Sequence, residues 1–218
     1  MLGRKEQESN SSLVFLSPRA KKDGKEIEPA FFIRRKINGE WKEDGSTDRF
    51  SGKLVAVAHK LVPLPAPAKP LSLIAITLED EEVGEKYIAE FTFKVPTRSL
   101  FNRILNLNGT DDVEVSFFRN KDGFESFAVR QKGETVKAKY EKGDTTVPEV
   151  EVTKKKSGEI DKDYFEVNKF YQDQMVALGE KLKANPAPAA KTVKKESGGD
   201  YKDLEDLEDL EDSEAIPF

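Results

Sequence analysis

The stretch "PTRSLFNRILNLNG", residues 96–109, decides how the fold is interpreted, because it is the helical interval inside a block of β-strands. Thr97 is a suitable N-cap, and Gly109 is a suitable stop beyond the last apolar turn. The residues that share one helical face are Leu100, Phe101, Ile104 and Leu105. We therefore expect one short helix at this position.

Short apolar alternations separated by turn residues predict strands on both sides of this helix. They cover residues 13–16, 30–37, 50–62, 71–78, 86–95, 113–118 and 124–130. Counted from the strand at 50–62, three strands, the helix and two strands follow in order. That is the element order of an OB-fold, a five-stranded Greek-key barrel that often binds oligonucleotides. Gly52 suits a first strand that bends to serve both halves of the barrel, although a small sandwich would give similar strings.

We predict a mainly β protein: an OB-fold-like barrel with an extra N-terminal hairpin, one C-terminal amphipathic helix and a disordered acidic tail. The predicted segments are a mobile N-terminus at 1–12, an OB-fold single-stranded-DNA-binding domain at 13–145, a linker at 146–160, the helix at 161–184, a flexible spacer at 185–199 and an acidic protein-interaction tail at 200–218. The apolar stripe of the C-terminal helix consists of Tyr164, Val167, Tyr171, Met175, Leu178 and Leu182. This stripe would either pack on the barrel or join protomers, so a homo-oligomer is an open possibility.

Composition limits the class of protein. There is no cysteine, which excludes disulfides and thiolate zinc sites. The sequence contains no run of 18 apolar residues, so we expect no membrane span. Residues 1–12 lack the apolar core of a secretory signal. We expect a cytoplasmic protein without a membrane partner.

The net charge of −5 is unevenly distributed. Residues 200–218 contain nine acidic side chains and one basic, which leaves 35 Lys and Arg against 32 Asp and Glu in residues 1–199. The body is therefore +3 and the tail −8. A basic body with an acidic tail is typical of nucleic-acid proteins, in which tail and ligand compete for one surface, but acidic tails also serve solubility.

The sequence argues against an enzyme. His59 is the single histidine and lies in an alternating strand, where an ordinary structural histidine is expected. The Gly52-Lys53-Leu54 stretch lacks the spacing of a phosphate-binding loop. We predict no catalytic residues, no metal site and no cofactor.

A binding surface is better supported. Asn38-Gly39 is a strong hairpin signal, and it predicts three cross-strand pairs: Ile37 with Glu40, Lys36 with Trp41, and Arg35 with Lys42. Alternation then places two aromatic rings and two cations on one face: Phe32, Arg34, Lys36 and Trp41. Such a face suits single-stranded nucleic acid, because bases stack on rings while cations hold phosphates. The alternative is that Trp41 or Phe32 closes the core.

The last hairpin of the barrel predicts a second patch of two rings and three cations: Phe118, Arg119, Lys121, Phe124 and Arg130. Further cations would extend the electrostatic track: Lys53, Lys60, Lys94 and Arg98. None of these side chains is placed to read base edges, so we expect little sequence specificity.

The end of the chain, "DLEDLEDLEDSEAIPF" at residues 203–218, resembles the C-terminal tip of bacterial single-stranded DNA-binding proteins. In that family the final Pro-Phe docks in a pocket on replication and repair proteins, and a basic side chain holds the terminal carboxylate. The resemblance implies an anchor of Ile216, Pro217 and Phe218. It implies steering charges at Asp209, Glu211, Asp212 and Glu214, since an acidic leash raises association rates.

With the predicted barrel, the chain looks like a bacteriophage-type single-stranded DNA-binding protein. If it is encoded by a phage, we expect it in the cytoplasm of the bacterial host. Such a protein would coat and protect single strands in replication, recombination and repair, and would recruit partners through its tip. Two alternatives remain open. One is an adaptor that binds host replication or repair proteins without binding DNA, and the other is a strand-annealing recombination mediator.

Overall fold

The computed structural model of the chain describes residues 12–22, 24–155 and 159–184. The predicted N-terminus up to residue 11, the spacer at 185–199 and the acidic tail at 200–218 lie outside the described residues. None of the helices within the described ranges is long and apolar enough to cross a membrane.

The described part of the chain is mainly β, as predicted, with two helices. The strands are β1 (Ser12–Lys22), β2 (Lys25–Ile37), β3 (Glu40–Thr47), β4 (Arg49–Val62), β5 (Leu71–Asp80), β6 (Glu85–Thr92), β7 (Val113–Arg119), β8 (Glu125–Gln131), β9 (Glu134–Thr135), β10 (Glu151–Lys154) and β11 (Ile160–Asp163). The helices are α1 (Val95–Ile104) and α2 (Phe165–Ala184). The predicted linker at 146–160 thus contains β10, which pairs with β11 in a separate two-stranded sheet.

Nine strands form one open sheet in the order β3-β2-β1-β6-β5-β4-β7-β8-β9. The predicted five-stranded barrel is therefore not closed: its strands belong to an open sheet. Closing the ring β6-β5-β4-β7-β8 requires β8 to pair with β6, but the free edge of β6 is taken by β1, which runs parallel to it. The N-terminal hairpin is consequently part of the main sheet.

Strand β4 holds the two halves of the sheet together. Its first residues pair with β7 and the remainder pairs with β5. Gly52 lies where the pairing changes, with φ of 152°, and a Cβ there would lie 2.6 Å from the carbonyl oxygen of Glu79. Only glycine fits this close approach of two strands without strain.

The core is a cluster of phenylalanines inside the curled sheet. The Phe31 ring from β2 lies 4.9 Å from that of Phe50 and 5.8 Å from that of Phe117, measured between centroids. Phe117 stacks on Phe127 at 4.5 Å. Because these rings come from β2, β4, β7 and β8, the N-terminal hairpin and the last hairpin share one core.

The amphipathic helix α2 packs on β4 and on α1. Its residues Val167, Tyr171 and Met175, spaced four apart, are almost completely buried. Gly179 continues the row, and its backbone rests against the carbonyl of Val57. Within one chain, the apolar stripe therefore braces the sheet.

Candidate nucleic-acid interface

The first candidate surface lies on the outward side of β1, β2 and β3. The turn at Asn38 and Gly39, with positive φ at both residues, sets the register. It gives the predicted pairs Ile37–Glu40, Lys36–Trp41 and Arg35–Lys42. Along its other edge, β2 pairs with β1, where Arg34 lies opposite Phe15. We call the surface formed by Phe15, Phe32, Arg34, Lys36 and Trp41 the aromatic face.

Trp41 is the most exposed ring of the aromatic face. It is 41% exposed and meets the Phe15 ring edge-on, with centroids 4.8 Å apart and an interplanar angle of 88°. Phe15 is itself half-buried. The contact orients Trp41 while leaving part of its indole open to solvent, so the interpretation that Trp41 closes the core does not hold.

The cations beside these rings fall into two groups. Arg34 and Lys36 are exposed and form no ion pair with any described residue. Lys60 of β4 instead bonds to Glu90 at 2.6 Å, and its ammonium lies 6.0 Å from the Phe15 ring. The positive charges of Arg34 and Lys36 are thus the ones available to an anionic ligand.

Phe32 occupies a different environment. It is 7% exposed, and the Arg19 guanidinium and the Lys22 ammonium lie over its ring at 5.0 and 5.1 Å from the centroid. Glu43 of β3 bonds to Lys22 at 2.9 Å and to Arg19 at 3.4 Å. The hydrogen bond from Lys22 is the main reason that the pKa of Glu43 is lowered, so this carboxylate is charged at neutral pH.

The second candidate patch is less well formed. Phe124 is 68% exposed and Phe118 is half-buried. Arg119 donates to the carbonyl oxygens of Gly123 at 3.1 Å and Ile27 at 3.2 Å, which ties the last hairpin to β2. Arg130 lies 3.9 Å from Glu114, while Lys121 is exposed at the turn.

The two patches lie toward opposite ends of β2. Arg119 contacts Ile27, whereas Lys36 pairs with Trp41 nine residues further along the strand. A strand rises about 3.3 Å per residue, so these points are about 30 Å apart along β2. The structure therefore brings the first set of predicted residues together and leaves the second set separate from it.

The cations predicted to extend the track have diverse surroundings. Lys53 is 13% exposed and bonds to Glu81 at 3.1 Å. Arg98 is 2% exposed and lies over the Tyr164 ring at 4.1 Å, where burial lowers its pKa and where it joins α1 to α2. Lys94 is exposed at the N-cap of α1. Of these three, only Lys94 is open to a phosphate.

Sequence reasoning missed Phe15 of the aromatic face and the two cations that lie over Phe32, namely Arg19 and Lys22. All three lie on β1, which pairs with β2 in a hairpin that closes at Lys22 and Lys25, and which lies parallel to β6 some seventy residues away. The alternation at residues 13–16 signals a strand but not which strand it joins.

His59 has a structural environment. Its Nε2 lies 2.9 Å from Ser72 Oγ, and the Ser72 hydroxyl donates to Gln172 Oε1 at 3.1 Å, which links β4 and β5 to α2. Among the described residues, no group of three or more His, Cys, Asp or Glu side chains could hold a metal ion.

The predicted tail residues, from Asp209 to Phe218, lie outside the described residues. Comparisons with protein-family models, with curated proteins and with solved structures found no match.

Proposed function

We propose that the chain is a sequence-nonspecific single-stranded DNA-binding protein that uses the aromatic face. The observation that carries the proposal is the half-exposed Trp41 ring, which contacts Phe15 and is flanked by the exposed Arg34 and Lys36, neither of which forms an ion pair within 4.0 Å of a described residue. A base stacked on Trp41 would gain about 1–3 kcal/mol, and the two cations would hold the neighbouring phosphates. A ring accepts any base, so this arrangement favours binding without sequence preference.

We also propose that β4 to β8 and α1 form an OB-like unit. Two features support this: β4 pairs with both β5 and β7, and α1 lies between β6 and β7 in the chain. OB-folds are partly open barrels. Here β1 would occupy the edge of β6 at which the barrel otherwise closes.

The role of the tail rests on its resemblance to the tips of bacterial single-stranded DNA-binding proteins. The anchor at Ile216, Pro217 and Phe218 would recruit replication, recombination or repair proteins to the coated strand. Deleting Phe218 should abolish capture of such a partner and leave oligonucleotide affinity unchanged. Equal capture by both chains would refute this role.

The test of DNA binding follows Trp41 fluorescence during titration with oligo-dT, in parallel with gel shift, over a range of salt concentrations. The variant Arg34→Ala/Lys36→Ala removes two cations of the face. The control, Lys169→Ala/Lys181→Ala, removes two exposed lysines of α2 that form no ion pair with described residues. Each phosphate contact contributes about 0.7 to the salt slope of single-strand binding, so the first variant should lower that slope by about 1.4.

The control should keep the parent's slope and affinity within error. A parent chain that neither quenches nor shifts oligo-dT would refute single-strand binding and favour the adaptor alternative. Equal losses in both double variants would show that net charge, not the aromatic face, sets the affinity. Acceleration of pairing between complementary strands would add an annealing activity to the proposed one.

A further inference from the structure

Phe32 differs from Trp41 in being covered, although both rings belong to the aromatic face. Two long side chains lie over its ring, with the Arg19 guanidinium and the Lys22 ammonium about 5 Å from the centroid. Long cationic side chains change rotamer quickly, whereas backbone and packed rings do not. The Arg19 and Lys22 side chains can therefore move off Phe32 without any change in the backbone of the sheet.

Glu43 holds the cover in place. One of its carboxylate oxygens accepts from Lys22 and the other from Arg19, at 2.9 and 3.4 Å. Its position depends on a bulge in β3, where Arg34 pairs with Glu43 but Phe32 already pairs with Ser46. Gly45, at φ of 101°, lies within this bulge, and such bulges re-aim neighbouring side chains.

We propose that Phe32 is a second base-stacking subsite, closed in the free protein by Arg19 and Lys22 and kept closed by Glu43. The inference rests on the proposed function, since its ligand is a nucleobase of the same bound strand. A phosphate of that strand would replace the Glu43 carboxylate as the partner of both cations. Arg19 and Lys22 would then swing from the ring to the backbone, and a base would stack on the exposed Phe32.

The experiment compares Glu43→Gln with Glu90→Gln in the full-length chain. Both substitutions remove one carboxylate that pairs with a cation close to a ring of the aromatic face, Phe32 for Glu43 and Phe15 for Glu90. Each is also made together with Phe32→Leu, which keeps an apolar side chain but removes the stacking ring. Oligo-dT affinity is measured by gel shift, and Phe32 accessibility is measured without DNA by hydroxyl-radical footprinting.

We expect Glu43→Gln to raise oligo-dT affinity by up to about fivefold more than Glu90→Gln, because the parent must break the exposed Glu43 ion pairs before a base can stack on Phe32. This extra gain should vanish in the Phe32→Leu background. Oxidation of Phe32 in the free protein should rise in Glu43→Gln alone. Equal gains for the two glutamine variants, or a gain that survives Phe32→Leu, would overturn the subsite while leaving DNA binding intact. A failure of every chain to bind oligo-dT would overturn both the subsite and the proposed function.

Discussion

Gly179 of α2 offers a test in which the structure and simple helix propensity predict opposite signs. In an exposed helix, Gly→Ala is stabilising by about 1 kcal/mol, because alanine restricts the unfolded chain and favours the helix. At Gly179, however, an ideal Cβ would lie 2.2 Å from the carbonyl oxygen of Val57 and 3.2 Å from its carbonyl carbon. Both atoms belong to the backbone of a central strand, so the helix must move instead.

The magnitude follows from what that movement disturbs. Relieving the clash requires α2 to rise from β4 by on the order of 1 Å, which forfeits about a quarter to a half of the contact energy at this distance. The side chains in the seam are Val167, Tyr171 and Met175, each worth about 2 kcal/mol when buried and about 6 kcal/mol together. The loss is about 1.5–3 kcal/mol, and subtracting the helix-propensity gain leaves a net destabilisation of about 0.5–2 kcal/mol.

Urea unfolding followed by far-UV circular dichroism measures this difference. The expected result for Gly179→Ala is a lower midpoint at an unchanged m value. Ala177→Gly, an exposed position in the same helix, is the control and should lose about 1 kcal/mol by propensity alone. If Gly179→Ala were as stable as the parent or more so, the close packing of α2 on β4 would be refuted.

Two further substitutions test the sheet. Gly52→Ala should lower the unfolding free energy by about 1–3 kcal/mol. The reason is that the alanine Cβ would lie 2.6 Å from the carbonyl oxygen of Glu79, at a position where φ is 152°. A urea midpoint equal to the parent's would contradict this. Glu85→Gln should cost about 1.5–3 kcal/mol at pH 7, because Glu85 of β6 accepts hydrogen bonds from Arg35 of β2, which reaches across β1, and from Tyr87 of its own strand. The Arg35 hydrogen bond is the main cause that lowers the pKa of Glu85, so the difference between parent and variant should persist above about pH 4.3 and shrink as pH falls through the folded pKa. A difference that is the same at pH 7 and pH 3 would exclude the charged pair as its source.

What the sequence predicted well is local. The helix stripe, the hairpin pairs around Asn38 and Gly39, and the special role of Gly52 follow from spacing or from backbone freedom within a few residues. These rules act over one turn of helix or across one tight turn, so a single sequence suffices to apply them.

What it did not predict depends on contacts far apart in the chain. Strand β1 lies parallel to β6, some seventy residues away, and no local signal distinguishes this neighbour from another. The same limit applies to the surface: the Lys36–Trp41 pair and the β1–β2 hairpin are local, whereas the approach of Lys60 to the Phe15 ring depends on the pairing of β1 with β6. The burial of Arg98 against Tyr164 likewise requires α2 to be placed first.

The departure from the closed barrel and the candidate interface have the same structural origin. When β1 takes the edge of β6, it brings β2 and β3 alongside as an extension of the sheet. All the rings of the aromatic face lie on this three-stranded extension, while strand β4 places a cation, Lys60, beside Phe15. The core side of the same extension carries Phe31, which packs against Phe50 and Phe117 and so fixes the outward side in place. A barrel closed between β6 and β8 would leave β1 without its parallel partner, and the aromatic face would lose the strand that holds Phe15 beneath Trp41.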